Sequence, residues 1–567
     1  VRPGRASALV ALGAGLLAAV AYAHAIRGGF VYDDAYLIGA NPAVRSLGAA
    51  LASFGRSYWG HMKGVAPYYR PLPVVSYALD HAVTGLDPSA YHTTNVILHA
   101  ACAALVGLLV LRLGAMGGTA APAPLAAGAA FAGALAAVHP VHSEAAAAVY
   151  CRPDLLAALF ALAFVNLAVR GRTAAALAAL ALALFSKESA AALPLLAPAA
   201  LALGARAGRE AVEPGGPPPG RRRGRFVLHA ALALAILAGY LALRHHALGG
   251  WHDPKAITTL DNPLVRAPEA ERLLTPVAVA ARYASLWVWP AVLCVDRGYD
   301  TVPPAASIGD PHVLGGAALL TGGAIALAGL AARRSPWALP LAAAGLAYLP
   351  ASNLVLLVPA LMGERFIYLP SLFVCVLAGG AYARLAGGGR AAAGGPAGWP
   401  FGTAGLHAVA AVLILAGGAR TFLRCRDYAD ELALYRSAAE SCPRSAKAHY
   451  NLGNALARAK RDAEAIEELE ACVAIAPWLA IAHNNMGSSY LNLYRLDEAE
   501  AAFRRALDLE PTLVKTRANL ATVLLLKGRL EAALEEARAA LALGPDPDDA
   551  AYLGELVRRI EKRSARP

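Results

Sequence analysis

The chain has 567 residues, 57% of them hydrophobic and only 16% charged. A water-soluble domain carries about 25% charged residues, so the composition argues against a wholly soluble fold. The 51 basic residues outnumber the 39 acidic ones, but much of the basic charge sits in short loops between apolar runs. There it reads as membrane topology rather than as a nucleic-acid surface. Seven cysteines occur without a CxxC spacing, and Cys102 and Cys375 fall inside apolar runs, which gives neither a disulfide framework nor a zinc site.

A helix that crosses a bilayer needs about 20 apolar residues. Stretches of that kind are predicted at 6–25, 91–112, 121–138, 153–169, 173–186, 189–204, 226–247, 311–332, 336–358, 366–387 and 402–420. The first lacks a cleavage site and reads as a retained anchor. A further apolar stretch at 275–294 holds Trp287, Trp289 and Pro290; clustered Trp is typical of the interface, so it reads as interfacial or re-entrant. Loop 205–225 has six Arg against Glu210 and Glu213, which places it in the cytoplasm by the positive-inside rule. Arg112, Arg170, Arg172, Arg333, Arg334, Arg384 and Arg390 fall on the same side when eleven stretches cross. Residues 26–89, 139–152, 187–188, 249–310 and 359–365 are then outside, together with everything after 420. Segments 205–225 and 387–400 read as Gly/Pro-rich loops.

The C-terminal quarter is different. Pro443, Pro477, Pro511 and Pro545 are spaced 34 residues apart. Tyr450-Asn451-Leu452-Gly453, Asn484-Asn485-Met486-Gly487 and Ala518-Asn519-Leu520-Ala521 recur in one register between them. A 34-residue helix-turn-helix period is the tetratricopeptide signature. Helix 426–441 reads as part of a repeat, three full repeats follow over about 444–545, and 546–564 reads as a capping helix. The expected organisation is all-α: a polytopic membrane domain (1–420) followed by a tetratricopeptide solenoid (426–564). Asn451, Asn485 and Asn519 lie on the first helix of each repeat, which lines the concave groove, and there they are candidates to bind peptide backbone.

Polar groups collect on the outer side. Phe30-Val31-Tyr32-Asp33-Asp34 follows the first apolar run. Adjacent carboxylates can form a solvated turn; in a cleft that excludes water, one can take a proton from a hydroxyl nucleophile. His139-Pro140-Val141-His142-Ser143-Glu144 can hold a metal or bond a sugar, or simply satisfy backbone groups at a helix end, and its loose spacing does not favour a metal. Arg152 and Asp154 follow, Arg152 being suited to meet a phosphate bidentately. Lys187-Glu188 lies between two apolar stretches, where charge is costly and is either functional or paired internally. Arg365 and Tyr368, one helical turn apart, form a candidate grip for a lipid-linked phosphate. Tyr68 and Arg70 lie in the Tyr68-Tyr69-Arg70-Pro71-Leu72 run of the first external loop.

Taken in order, FVYDD (30–34) with Asn41-Pro42, YYRPL (68–72), HTTNVILHA (92–100), HPVHSE (139–144), CRPDLLAALF (151–160), SKES (186–189) and ERFIYLP (364–370) resemble the transmembrane and tetratricopeptide-repeat O-mannosyltransferase family, of glycosyltransferase fold type C. The resemblance covers nearly the whole chain. It implies transfer of a sugar, typically mannose, from a polyprenyl-phosphate donor to Ser or Thr of an exported protein, without an obligatory cofactor. It places the family's catalytic carboxylate at Asp34 or Asp33. Cys151 departs from the family, where Gly is frequent, and Ala147 stands where an aromatic is common.

On this reading the donor phosphate meets Arg152, Lys187, Arg365 and Tyr368. Tyr68, Arg70, His139, His142, Glu144, Asp154 and Glu188 shape the sugar and acceptor pocket. The expected partners are the bilayer, the lipid-linked sugar and a protein acceptor, not nucleic acid. A non-catalytic membrane scaffold for envelope proteins is the alternative. A transporter would place charges at mid-membrane, which the sequence does not show.

Overall fold

A computed structural model describes residues 3–62, 68–117, 121–210, 219–251, 257–295, 297–388 and 402–565. The middles of the two Gly/Pro-rich loops, 211–218 and 389–401, lie outside the described residues. The fold is all-α. The chain divides into two compact units, residues 1–295 with 304–433 and residues 296–303 with 434–567.

In the first unit six helices are long and apolar enough to cross a bilayer: Pro88–Gly117, Val149–Ala168, Phe226–Leu248, Pro311–Ala332, Glu364–Ala386 and Gly402–Tyr428. Pro122–Val138 and Pro140–Ala147 form a further apolar pair bent by 48°. Arg5–Ala21, Thr173–Ser186, Glu188–Gly204 and Ala338–Ala351 are shorter apolar helices. The protein is a multi-pass membrane protein. The Trp-rich stretch enters helix Glu269–Val288, which carries Pro276 inside it.

Pro122–Val138 is central, packing on Tyr368–Ala386, Pro88–Gly117 and Pro3–Ala21. Glycine permits the close approach: a Cβ on Gly128 would lie 2.4 Å from the Gly379 carbonyl oxygen. Small residues let backbones meet in this way inside membranes. The peripheral helices turn apolar side chains outward, with Ile325 68% and Leu415 72% exposed. Such rows are stable against lipid rather than water.

The bend at His139-Pro140 sets where the polar residues emerge. Pro140 has no N–H to continue the ladder, and His139 is extended (φ −67°, ψ 125°). The chain therefore stops the Pro122–Val138 helix and turns, which delivers Glu144 and then Arg152 to one end of the bundle.

The second unit is a run of helix pairs. Ala446–Arg458 with Asp462–Ile475, Ala480–Asn492 with Leu496–Leu509, and Val514–Leu526 with Leu530–Ala542 are followed by Pro547–Ser564. Gly453 and Gly487 make the pairing possible, since a Cβ there would meet Leu469 Cγ at 2.7 Å and the Phe503 ring at 2.8 Å. Phe503 is fully buried and Tyr490 nearly so, as expected of packing positions.

Candidate active site

The acidic loop is fixed against the Tyr428-Ala429 segment. Gly29 N–H donates to the Ala429 carbonyl at 2.8 Å, and Gly28 sits so close that a Cβ would be 2.7 Å from the Tyr428 carbonyl oxygen. Tyr32 then adopts φ +55°, an uncommon left-handed conformation for a bulky side chain. That turn delivers Asp33, half-buried, and Asp34, fully buried. Asp34 Oδ2 accepts the Val31 N–H at 3.0 Å. Its Oδ1 makes no hydrogen bond among the described residues. Burial pushes the Asp34 carboxyl well above the usual carboxylate range; the Val31 amide and Arg152 pull it down, and Asp33 pushes it further up.

Three ion pairs between expected site residues stand in the same unit. Arg365 donates from its backbone N–H to Glu144 Oε2 (2.9 Å) and from Nη1 to Oε1 (2.6 Å). Lys187 Nζ donates to Asp154 at 2.6 Å. Arg70 grips Glu188 with both arms, Nε donating at 2.9 Å and Nη2 to the other oxygen. Burial works against the Arg70 charge, but Glu188 outweighs it and keeps the guanidinium above its ordinary pKa. The Lys187–Glu188 bridge weighed from the sequence is not formed. Lys187 is extended (φ −160°, ψ 143°), so the two neighbours reach different partners. Phe366 lies between two of the cations, its ring centroid 5.2 Å from Arg365 Cζ and 5.6 Å from Lys187 Nζ, both within cation–π reach. Tyr68 stacks on Arg70 at 4.3 Å.

Other expected site residues are turned into the protein. Arg152 is fully buried; Nε donates to Asn95 (2.8 Å), Nη1 to Ser76 (3.2 Å) and Asp80 (2.5 Å), and Nη2 to the Tyr91 carbonyl (2.7 Å). A guanidinium so engaged meets a phosphate only by giving up Asp80. Arg365 and Tyr368 do not act on a common partner: the Arg365 guanidinium pairs with Glu144, and the α-helix starts at Tyr368. The Tyr368 hydroxyl is buried against His99 Nδ1 at 2.8 Å.

His142 bonds the Ala136 carbonyl (2.8 Å) and Ser371 (2.6 Å), while His139 bonds the Trp287 carbonyl (2.9 Å) and accepts the Val141 N–H (3.3 Å). Both ring nitrogens of each imidazole are engaged within the protein. Among the described residues no three His, Cys, Asp or Glu side chains are placed to hold a metal ion. In the repeats, Asn485 Nδ2 donates to Asn454 (2.7 Å) and Asn519 to Ser488 (3.4 Å). Two of the three asparagines thus tie successive first helices together, and Asn451 holds the matching position.

Sequence reasoning passed over Tyr150 and Phe366. Both were in view as neighbours of arginines, in YCRPD and ERFIYLP, but an aromatic beside a charge reads as packing until its ring is placed. Asp80 and Asn95, which hold Arg152, gave no signal because they lie 72 and 57 residues away from it.

The tetratricopeptide repeat family matches residues 417–477 and 480–513. Protein O-mannosyl-transferase F38B6.6 of Caenorhabditis elegans is 27% identical over 451 residues, covering 78% of this chain and 59% of that protein. Protein O-mannosyl-transferase TMTC4 of Homo sapiens is 28% identical over 509 residues, covering 78% and 63%. For TMTC1 of Mus musculus the identity is 28%, covering 84% and 58%. The chain spans about three fifths of the length of the curated relatives it matches. Over most of its own length, this multi-pass membrane protein with tetratricopeptide repeats is a homologue of the proteins named protein O-mannosyl-transferase.

Proposed function

We propose that this protein is a membrane glycosyltransferase that moves a sugar, mannose by analogy with the names of its relatives, from a polyprenyl-phosphate donor to Ser or Thr hydroxyls of exported proteins. The reading rests on a buried, half-satisfied carboxylate at Asp34 and, in the same unit, two cations, Arg365 and Lys187, that flank one aromatic ring. Asp34, with Asp33 beside it, orients the acceptor hydroxyl and takes its proton. The oxygen attacks the anomeric carbon from the face opposite the phosphate, so the configuration inverts. The C–O bond to phosphate breaks and its electron pair leaves with the polyprenyl phosphate. Fixed cations in a water-poor cleft stabilise that charge far better than water would.

Arg365 suits the task because its fork is only partly used: Glu144 takes Nη1 and the backbone N–H, and its side chain is 24% exposed. Arg152 acts from behind as a positioning residue. Tyr68, Arg70 and Glu188 line the approach, and the repeats hold the polypeptide acceptor on the non-cytoplasmic side.

The test uses purified full-length protein with polyprenyl-phosphate mannose and an exported acceptor. Asp34→Asn is expected to lower transfer by about 10²- to 10⁴-fold while the protein stays folded. Unchanged transfer would remove the catalytic assignment and leave a scaffold.

A further inference from the structure

We infer that Tyr150 is a positioning residue that locks the aspartate-bearing loop to the Arg365 cation; the inference rests on the proposed transfer reaction. Tyr150 lies in the short 3-10 turn Val149–Cys151 and is nearly buried. One face of its environment is the acidic loop. Its ring is 5.2 Å from that of Tyr32, tilted by 35°, and Tyr32 immediately precedes Asp33-Asp34 in its left-handed turn. The other face is the cationic side. Arg365 Cζ lies 5.7 Å from the Tyr150 ring centroid, and the Tyr150 hydroxyl donates to Glu144 Oε1 at 3.5 Å, the oxygen that also takes Arg365 Nη1.

One side chain therefore touches the neighbour of the proposed base, the proposed leaving-group cation and that cation's counter-ion. Most of the three-way contact is made by the ring. The hydroxyl adds a single long hydrogen bond to a carboxylate already held by Arg365. A displacement needs the attacking oxygen and the departing phosphate held in line at once, and small misplacements cost orders of magnitude in rate. Tyr150 is the residue that joins the elements supplying the two ends of that line.

The experiment compares Tyr150→Phe and Tyr150→Leu with the wild type in the transfer assay, together with binding of polyprenyl phosphate alone. Tyr150→Phe keeps the ring and is expected to stay within about threefold of wild-type kcat. Tyr150→Leu is expected to lose about tenfold to a hundredfold in kcat, with KM for the donor changed by less than about threefold and the melting temperature of the detergent-solubilised protein close to that of Tyr150→Phe. Equal loss in both variants would make the hydroxyl, not the ring, the working part and overturn the inference. Unchanged kcat in Tyr150→Leu would overturn it too, as would a Leu variant whose loss is wholly one of melting temperature or donor binding. Wild-type protein that performs no transfer would instead remove the reaction reading, and this inference with it.

Discussion

Glu144 holds Arg365 twice, taking the backbone N–H at one oxygen and the guanidinium at the other. Because Glu144 is fully buried, removing either partner strands a charge. Glu144→Ala is expected to destabilise the membrane unit by about 3 kcal/mol, read as an earlier unfolding transition in detergent. Adding Arg365→Leu to Glu144→Ala should recover part of that stability but none of the transfer activity. A double variant no more stable than Glu144→Ala would contradict the pairing.

The acid limb of the transfer reaction reports on Asp34. Its carboxyl lies well above the usual carboxylate range because burial penalises the anion, whereas the unfolded chain titrates near about 3.9. As a base, Asp34 works only when ionised, so kcat/KM should fall with decreasing pH through a value clearly above 4. Stability runs the other way: between the two values the folded chain binds more protons than the unfolded one, and stability declines as pH rises. A limb at or below pH 4 in the rate profile would show that Asp34 is not the group that titrates.

Much of this arrangement was legible in the sequence, and the limits were physical. Apolar runs fix helices because length and hydropathy are local properties, and the 34-residue period fixed the repeats because each one carries its own packing glycine or alanine. Asp34, Lys187 and Arg365 were singled out because charge is rare in so apolar a chain. What the sequence hid was the direction of each side chain. Arg152 turns inward because Asp80 and Asn95, both on other helices, wait for it. Tyr368 turns inward because His99, on another helix, takes its hydroxyl. Lys187 and Glu188 separate because a single extended residue sends them apart.

In the repeats, His449 Nδ1 bonds Glu468 at 2.7 Å and Nε2 bonds the Pro443 carbonyl at 3.0 Å. Arg436, Glu440, Glu464 and Glu467 line the same hollow of about 280 Å³. The Glu468 bond raises the imidazole above its ordinary value against the effect of partial burial. A raised imidazole contributes stability that is complete below about pH 6.5 and is lost as pH climbs through the folded-state value. Protection against hydrogen exchange across 446–475, taken relative to the intrinsic base-catalysed rate, should therefore fall as pH rises above about 6.5, and Glu468→Gln should flatten that dependence. An unchanged profile in the variant would refute it.

The crossing at Gly128 and Gly379 is a further point of attack. A methyl on Gly128 would press on a backbone carbonyl and cannot be relieved by a side-chain rotation. Gly128→Ala is expected to cost about 1–3 kcal/mol, visible as a lower melting temperature in micelles. Gly239→Ala serves as the control, because a Cβ there meets nothing within 4 Å. Equal melting temperatures for the two variants would exclude close contact at the crossing.

The stitch between Gly29 and Ala429 reaches beyond local geometry. Ala429 follows the last membrane helix, so the loop bearing the aspartates leans on a strut from the far end of the membrane portion. A truncation near residue 420, meant to delete only the solenoid, would also pull that strut away. One ending after residue 433 would keep it. The two truncations should differ in activity even though neither retains a single complete repeat.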